Sequence, residues 1–304
     1  MLDLNIQNET SRLRTVVLGT AFHNGPIPTI EECYDPKSKI HVIEGTYPKE
    51  QDMILEMESV VKVFEKYGIK VFRPKVIENY NQIFSRDIGF VIEDKFITAN
   101  ILPDRDLEIS AIDHVLDQIP KENRISLPED CHVEGGDVMP WNNYIFIGTY
   151  SGNDYPEYIT ARTNVNAVKA IQELFPTKIV KSFELRKSND NAKENALHLD
   201  CCFQPIGKDK AIIHKNGFLN EEEFLWLVDF FGKENIFEIS KDEMYQMNSN
   251  VFSISENIIV SEQNFTRLNT WLVEKGFTVE KVPYAEIAKQ EGLLRCSTLP
   301  LVRD

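Results

Sequence analysis

Short apolar runs broken by polar turns set the rhythm of the middle of the chain. In 89–98, apolar arms flank Glu93-Asp94, and in 137–147 they flank Asn142-Asn143. Stretches 202–213 and 251–260 repeat the form around Gly207-Lys208-Asp209 and Glu256-Asn257. β-Branched and aromatic arms about such centres predict β-hairpins. Segments 164–174 and 221–231 place apolar residues at three-and-four spacing, which predicts amphipathic helices. Residues 178–183 and 277–282 read as the strands that follow them. Residues 53–71 fit the same scheme, a helix running into Gly68-Ile-Lys-Val-Phe72. Hairpin, helix and strand therefore recur about five times, the pattern of a repeat architecture with near-radial symmetry.

A length of 304 residues allows two domains of ordinary size. The chain has no Pro/Gly/Ser-rich linker, however, and the repeat favours one domain over 1–304. Composition narrows the function more than the fold. Lys plus Arg number 33 against 48 Asp plus Glu, a formal charge of −15, with 42% hydrophobic and 27% charged residues. So acidic a surface repels phosphate backbones, and with no long basic run in the chain this argues against a nucleic-acid binder. The amino terminus lacks the apolar core of a secretory signal, and no apolar run approaches a membrane span. Five scattered cysteines suit a reducing compartment, so a cytoplasmic protein is expected. No Cys-x-x-Cys pair or metal-spaced histidine cluster is present.

Four segments could carry chemistry. Asn81-Gln-Ile-Phe-Ser-Arg-Asp87 places an Arg-Asp pair before a strand, which as a surface ion pair would matter little. Glu134-Gly-Gly-Asp137 sets acids at the mouth of an apolar strand, where a carboxylate is costly unless partnered. In His198-Leu-Asp200, a strand would point His198 and Asp200 to one face and make the histidine a tuned base. Finally, Arg295 next to Cys296 could lower the thiol pKa toward a reactive thiolate. One cysteine, one histidine and several acids fit nucleophilic catalysis. The nucleophile lies at the opposite end of the chain from that of papain-like proteases, which disfavours protease chemistry.

Taken in order, Asn-x-x-Phe-Ser-Arg-Asp, Glu-Gly-Gly-Asp, His-Leu-Asp and Arg-Cys-Ser-x-x-Pro-Leu resemble the arginine deiminase and amidinotransferase superfamily, the penteins. The resemblance spans 12–304, with Ser11–Leu18 matching the opening strand. It implies a five-fold pseudosymmetric α/β propeller of ββαβ modules. It also implies a covalent mechanism without a metal or cofactor. Cys296 attacks the guanidinium carbon, and His198, oriented by Glu134, handles the protons. Asp87 and Asp200 pair with the guanidinium, as carboxylates do. Asn81, Arg162 and Arg105 match residues that hold the substrate's α-amino and α-carboxylate groups, and Asp137 joins the substrate-binding set.

Within the superfamily the motifs look closest to arginine deiminases. The implied reaction is hydrolysis of L-arginine or a related guanidino compound to a ureido compound and ammonia. Amidino transfer to an amine such as glycine is the alternative. A dimethylarginine-type hydrolase ranks lower because those enzymes generally lack the second aspartate, and a non-catalytic binding protein ranks lower because it needs none of these residues. Three departures qualify the match. The chain lacks the deiminases' inserted helical region, the stretch 134–162 is longer than theirs, and Glu291 stands where they carry an arginine. An acid there would repel an α-carboxylate. The expected partner is a small guanidino substrate, with no nucleic acid or membrane, and the oligomeric state, a homo-oligomer included, stays open.

Overall fold

The computed structural model describes residues 1–155 and 157–304, so Pro156 of the lengthened stretch lies outside the described residues. The described residues form five three-stranded sheets, arranged as a five-fold pseudosymmetric α/β propeller. β1 (Leu13–Leu18) and β2 (Lys70–Phe72) share a sheet with the last strand of the chain. The next three sheets are β3 (Gly89–Ile92), β4 (Lys95–Thr98) and β5 (Arg124–Ser126); β6 (Val138–Trp141), β7 (Tyr144–Thr149) and β8 (Ile179–Glu184); and β9 (Phe203–Ile206), β10 (Lys210–Ile213) and β11 (Ile236–Glu238). The fifth holds β12 (Phe252–Ser255), β13 (Ile258–Glu262) and β14 (Thr278–Val282), and β15 (Thr298–Arg303) returns to the first.

Each middle strand runs antiparallel to its hairpin partner and parallel to the third strand. Parallel neighbours need a crossover, and helices Val165–Leu174, Glu221–Phe231 and Thr266–Glu274 supply it for β8, β11 and β14. Helix Glu50–Lys66 serves β2, and two one-turn helices serve β5. β15 pairs antiparallel with β1, so the two chain ends together complete the module that opens the sequence.

The predicted hairpins, helices and following strands all form, with Asn142 and Gly207 taking left-handed φ of 55° and 60° in their turns. Asn164 caps its helix by accepting from the Ala167 amide. Among the described residues the apolar faces pack into three clusters, and in the largest Phe146 meets Phe183, Phe203 and Phe230 edge-on.

The site follows from the repeat. The residues just before the first hairpin strand of each module are Asp87, Glu134 to Asp137, His198 to Asp200, Asn250 and Cys296. Hydrogen bonds link these five lead-in segments in a closed circuit. Arg86 donates from its amide to the Cys296 carbonyl, Gly135 to Asp87, and Leu199 to the Asp137 carboxylate. The Ser249 hydroxyl donates to the Asp200 carbonyl, and the Arg295 amide to Asn250. Symmetry thus gathers residues up to 210 positions apart in sequence, Arg86 and Cys296, onto one ring.

Candidate active site

A cavity of about 490 Å³ opens over the ring, with Asp87, Arg105, Arg162, His198, Glu291 and Cys296 on its wall. Cys296 is 2% exposed. Its sulfur accepts from Asn250 Nδ2 at 3.2 Å and lies 3.6 Å from Asp200 Oδ2. The Asn250 side chain also clamps the turn from below, since its Oδ1 accepts from the amides of Arg295 and Cys296 at 2.9 and 3.1 Å. Burial first, then the Asp200 and Asp87 carboxylates, push the thiol well above its ordinary value.

Arg295 does not activate this thiol in the way adjacency suggests. Its guanidinium turns away and is fully spent on Asp200 (2.8 Å), on Glu9 (3.0 and 3.2 Å) and on the carbonyls of Gly136 and Val138. Glu9, missed in the sequence, is held at about 2, because the nearby guanidiniums of Arg295 and Arg86 outweigh the burial that would raise it.

His198 Nε2 lies 2.8 Å from Glu134 Oε2, and its Nδ1 lies 3.8 Å from Asp87 Oδ1. Burial disfavours the imidazolium, but Asp87 and Glu134 more than offset it, so the histidine is raised above its ordinary value. Burial would also raise Glu134, yet Arg162, with His198 and Arg105, holds it well below the usual range. The two glycines of Glu-Gly-Gly-Asp now have a reason. A Cβ on Gly136 would stand 2.6 Å from His198 Nδ1, and one on Gly135 would stand 2.1 Å from the Arg86 carbonyl oxygen.

The strand reading of His198-Leu-Asp200 is corrected. Leu199–Cys201 is a 3-10 turn with His198 at its N-cap, because the Leu199 amide is drawn to Asp137 and the Cys201 amide bonds back to His198. The two side chains therefore diverge. His198 lines the cavity, whereas Asp200, fully buried, sits behind Cys296 against Arg295. Asp137 and Glu134 are likewise fully buried and do not line the cavity, Asp137 anchoring the Leu199 amide and Glu134 anchoring His198. Asn81 does line it, bonded to Gln290 at 2.7 Å.

Arg105 and Arg162 reach the wall already engaged. Arg105 binds Glu108 through two nitrogens and Asp87 Oδ2 through a third, at 2.7, 3.1 and 2.8 Å. Arg162 binds both Glu134 oxygens and the carbonyls of Tyr34 and Ile159. Asp87 keeps its Oδ1 free of any donor, although it is only 3% exposed. Asp87, Glu134 and His198 bring one ligand atom each within 4.8 Å of the others, close enough for a divalent cation. The Arg105 and Arg162 guanidiniums lie against the same carboxylates, however, and already supply the positive charge a metal would bring.

This arrangement joins a thiol, a carboxylate-anchored histidine and an open carboxylate oxygen on one cavity wall. The sequence profile of the N,N dimethylarginine dimethylhydrolase family, eukaryotic branch, matches residues 46–303. The chain belongs to this family. It is thereby a pentein, among the enzymes that act on guanidino groups. It is 29% identical over 225 residues to the uncharacterized protein YkgA of Bacillus subtilis, covering 73% of this chain and 70% of that one. It is 25% identical over 232 residues to an arginine deiminase of Treponema denticola, covering 63% of this chain and 52% of that enzyme.

Among solved structures, the N-terminal domain of ArgZ, an arginine dihydrolase of cyanobacteria, superposes with a TM-score of 0.76 at 16% identity, over 95% of this chain and 97% of that one. The inosamine-phosphate amidinotransferase StrB1 of Streptomyces griseus does so with a TM-score of 0.77 at 14% identity, over 100% and 97%. At these identities the likeness is one of fold. The family profile is that of the branch the motifs ranked lower. Asp200, on which the ranking turned, lies behind the cavity wall in an ion pair with Arg295. Among the described residues, no helix is long and apolar enough to cross a membrane.

Proposed function

We propose that this chain hydrolyses a guanidino compound to a ureido compound and ammonia through a covalent intermediate on Cys296. The observation that carries the reading is the shared wall on which the Cys296 thiol, the Glu134-anchored imidazole of His198 and the unpartnered Asp87 oxygen meet. A planar guanidinium placed there gives Asp87 Oδ1 the donor it lacks. Its positive charge also favours the thiolate, which the free site disfavours.

The thiolate attacks the guanidinium carbon and forms a C–S bond. His198 then gives its proton to the departing nitrogen, the C–N bond breaks, and ammonia leaves a thiouronium on Cys296. The same imidazole takes a proton from water as its oxygen attacks that carbon, and collapse expels the sulfur with the ureido product. Glu134 holds the imidazole for both transfers. The whole chain 1–304 acts in this reading as one catalytic domain.

A panel of guanidino compounds, assayed for ammonia and for amine with and without added glycine, tests the reading. Ammonia in step with ureido product, indifferent to glycine, supports hydrolysis. Amine release without ammonia, accelerated by glycine, indicates transfer of the amidino group instead.

A further inference from the structure

The wall of the cavity is strongly one-sided in charge. Its carboxyl side chains outnumber its guanidiniums seven to two: Glu31, Glu32 and Asp35 from the loop ahead of helix Pro36–Ile43, Asp104 and Glu108, Asp87, and Glu291. The two guanidiniums, Arg105 and Arg162, have their nitrogens committed to protein carboxylates and carbonyls. Among the described residues, the other cationic side chain on the wall is His198, which Glu134 holds, so each cation lining the cavity is already paired with a protein carboxylate.

Glu291 decides the character of this wall. It is 4% exposed and held in place by a left-handed φ of 57°, a bond from Asn195 Nδ2 at 2.7 Å and the Lys37 amide. Asp35 lies against it, and burial together with Asp35 raises it. Both carboxyl side chains line the cavity, where their oxygens can accept from a ligand's donors. The Lys37 ammonium turns the other way, to the Tyr245 carbonyl, and does not line this cavity.

An independent observation points to a ligand rich in donors. Asn24, more than nine-tenths buried and on the same wall, has an Oδ1 with no donor. Asp87 Oδ1 is unsatisfied in the same way. Two buried acceptors without donors on one wall are costly unless a ligand supplies the hydrogens.

We infer that the substrate of this chain carries an ammonium or another hydrogen-bond donor at the end opposite its guanidinium and no free carboxylate, with Glu291 selecting that end. The inference rests on the reading of Cys296 given above, and it concerns only what the rest of the cavity accepts. An α-amino acid such as arginine would bring a carboxylate to a wall whose cations are already paired with protein carboxylates, whereas a guanidinoalkylamine brings a second positive charge to spare carboxylates.

The test compares kcat/KM for 4-guanidinobutylamine, 4-guanidinobutyrate and L-arginine with the purified full chain. The amine is expected to exceed both carboxylates by about ten-fold or more, and Glu291→Gln is expected to cut the amine-to-acid ratio by about ten-fold. Should Glu291→Gln not fold, Glu32→Gln at the exposed rim is expected to move the same ratio in the same direction by about two-fold. Equal or better turnover of the acid or of L-arginine, or a ratio unmoved in the variants, overturns the inference and leaves the Cys296 reading intact. Absence of turnover of every guanidine, with no adduct on Cys296, overturns the underlying reading instead.

Discussion

Asp200 Oδ2 stands 2.8 Å from Arg295 Nη1 and 3.6 Å from the Cys296 sulfur, so the residue beside the thiol in sequence neutralises the carboxylate beside it in space. The thiol nevertheless faces the carboxylate and not the guanidinium, and burial together with that carboxylate holds it protonated in the free protein. Two consequences can be measured separately, one in the free protein and one in turnover.

In the free protein, alkylation of Cys296 by iodoacetamide should be slow at neutral pH and keep climbing beyond pH 9, because the thiol is raised well above that value. Peptide mapping distinguishes Cys296 from the four other buried cysteines. A rate that levels off below pH 8 would show a preformed thiolate.

Replacing Asp200 by Asn removes one of the charges that raise the thiol. Alkylation at a fixed pH should become faster while kcat/KM falls about 10²-fold, since Arg295 loses a partner and the clamp around Cys296 loosens. Parallel loss of both would assign Asp200 to folding alone.

Gly136→Ala should lower kcat by about 10²-fold, because a methyl group 2.6 Å from His198 Nδ1 must displace the imidazole from Glu134. Steady-state kinetics beside a thermal melt separates this from general destabilisation. Unchanged kcat would mean that His198 does not need its present position.

The pH dependence of kcat/KM should be bell-shaped with its maximum above pH 7. His198 must hold a proton and Cys296 must lose one, and both are displaced upward from their ordinary values. A maximum below pH 6 contradicts the assigned pair.

Glu9 bears on stability. Its carboxyl is lowered from 4.5 to about 2 in the folded protein, so it stabilises the fold above pH 4.5 and loses that contribution as pH falls toward 2. The shift corresponds to about 3 kcal/mol at neutral pH. Glu9→Gln should therefore lower the unfolding free energy by about that amount at pH 7 and by progressively less between pH 4.5 and 2, as read by urea denaturation. A pH-independent difference would mean that packing rather than charge is lost.

The hairpins were legible because their turns and arms are local, as in 89–98 and 137–147, where Glu93-Asp94 and Asn142-Asn143 sit at the reversal. Cys296, His198, Glu134 and Asp87 were legible through their motifs in order. Asn250 was not, since its bond to the Cys296 sulfur spans 46 residues and no motif marks it. The repeat did hold the signal: Asn250 immediately precedes the hairpin at 251–260, where the other modules carry Asp87, Asp137, Asp200 and Cys296. The Glu9–Arg295 pair, 286 residues apart, had no local trace at all. Alternation failed at His198-Leu-Asp200 because the Asp137 carboxylate captures the Leu199 amide and bends the chain into a turn. Arg105 and Arg162 were matched through the resemblance to arginines that hold a substrate's α-groups, but their commitment to Glu108, Asp87 and Glu134 depends on carboxylates that only the fold brings to them.

Acid-quenched mass spectrometry of the wild-type chain mixed with a guanidino substrate addresses the covalent step itself. The account predicts that the peptide containing Cys296 gains the mass of the amidino-bearing fragment of the substrate during turnover, and that the Cys296→Ala variant shows neither adduct nor product. Turnover of the guanidine by wild-type protein with no adduct on that peptide at any quench time, and with activity retained in Cys296→Ala, would contradict it.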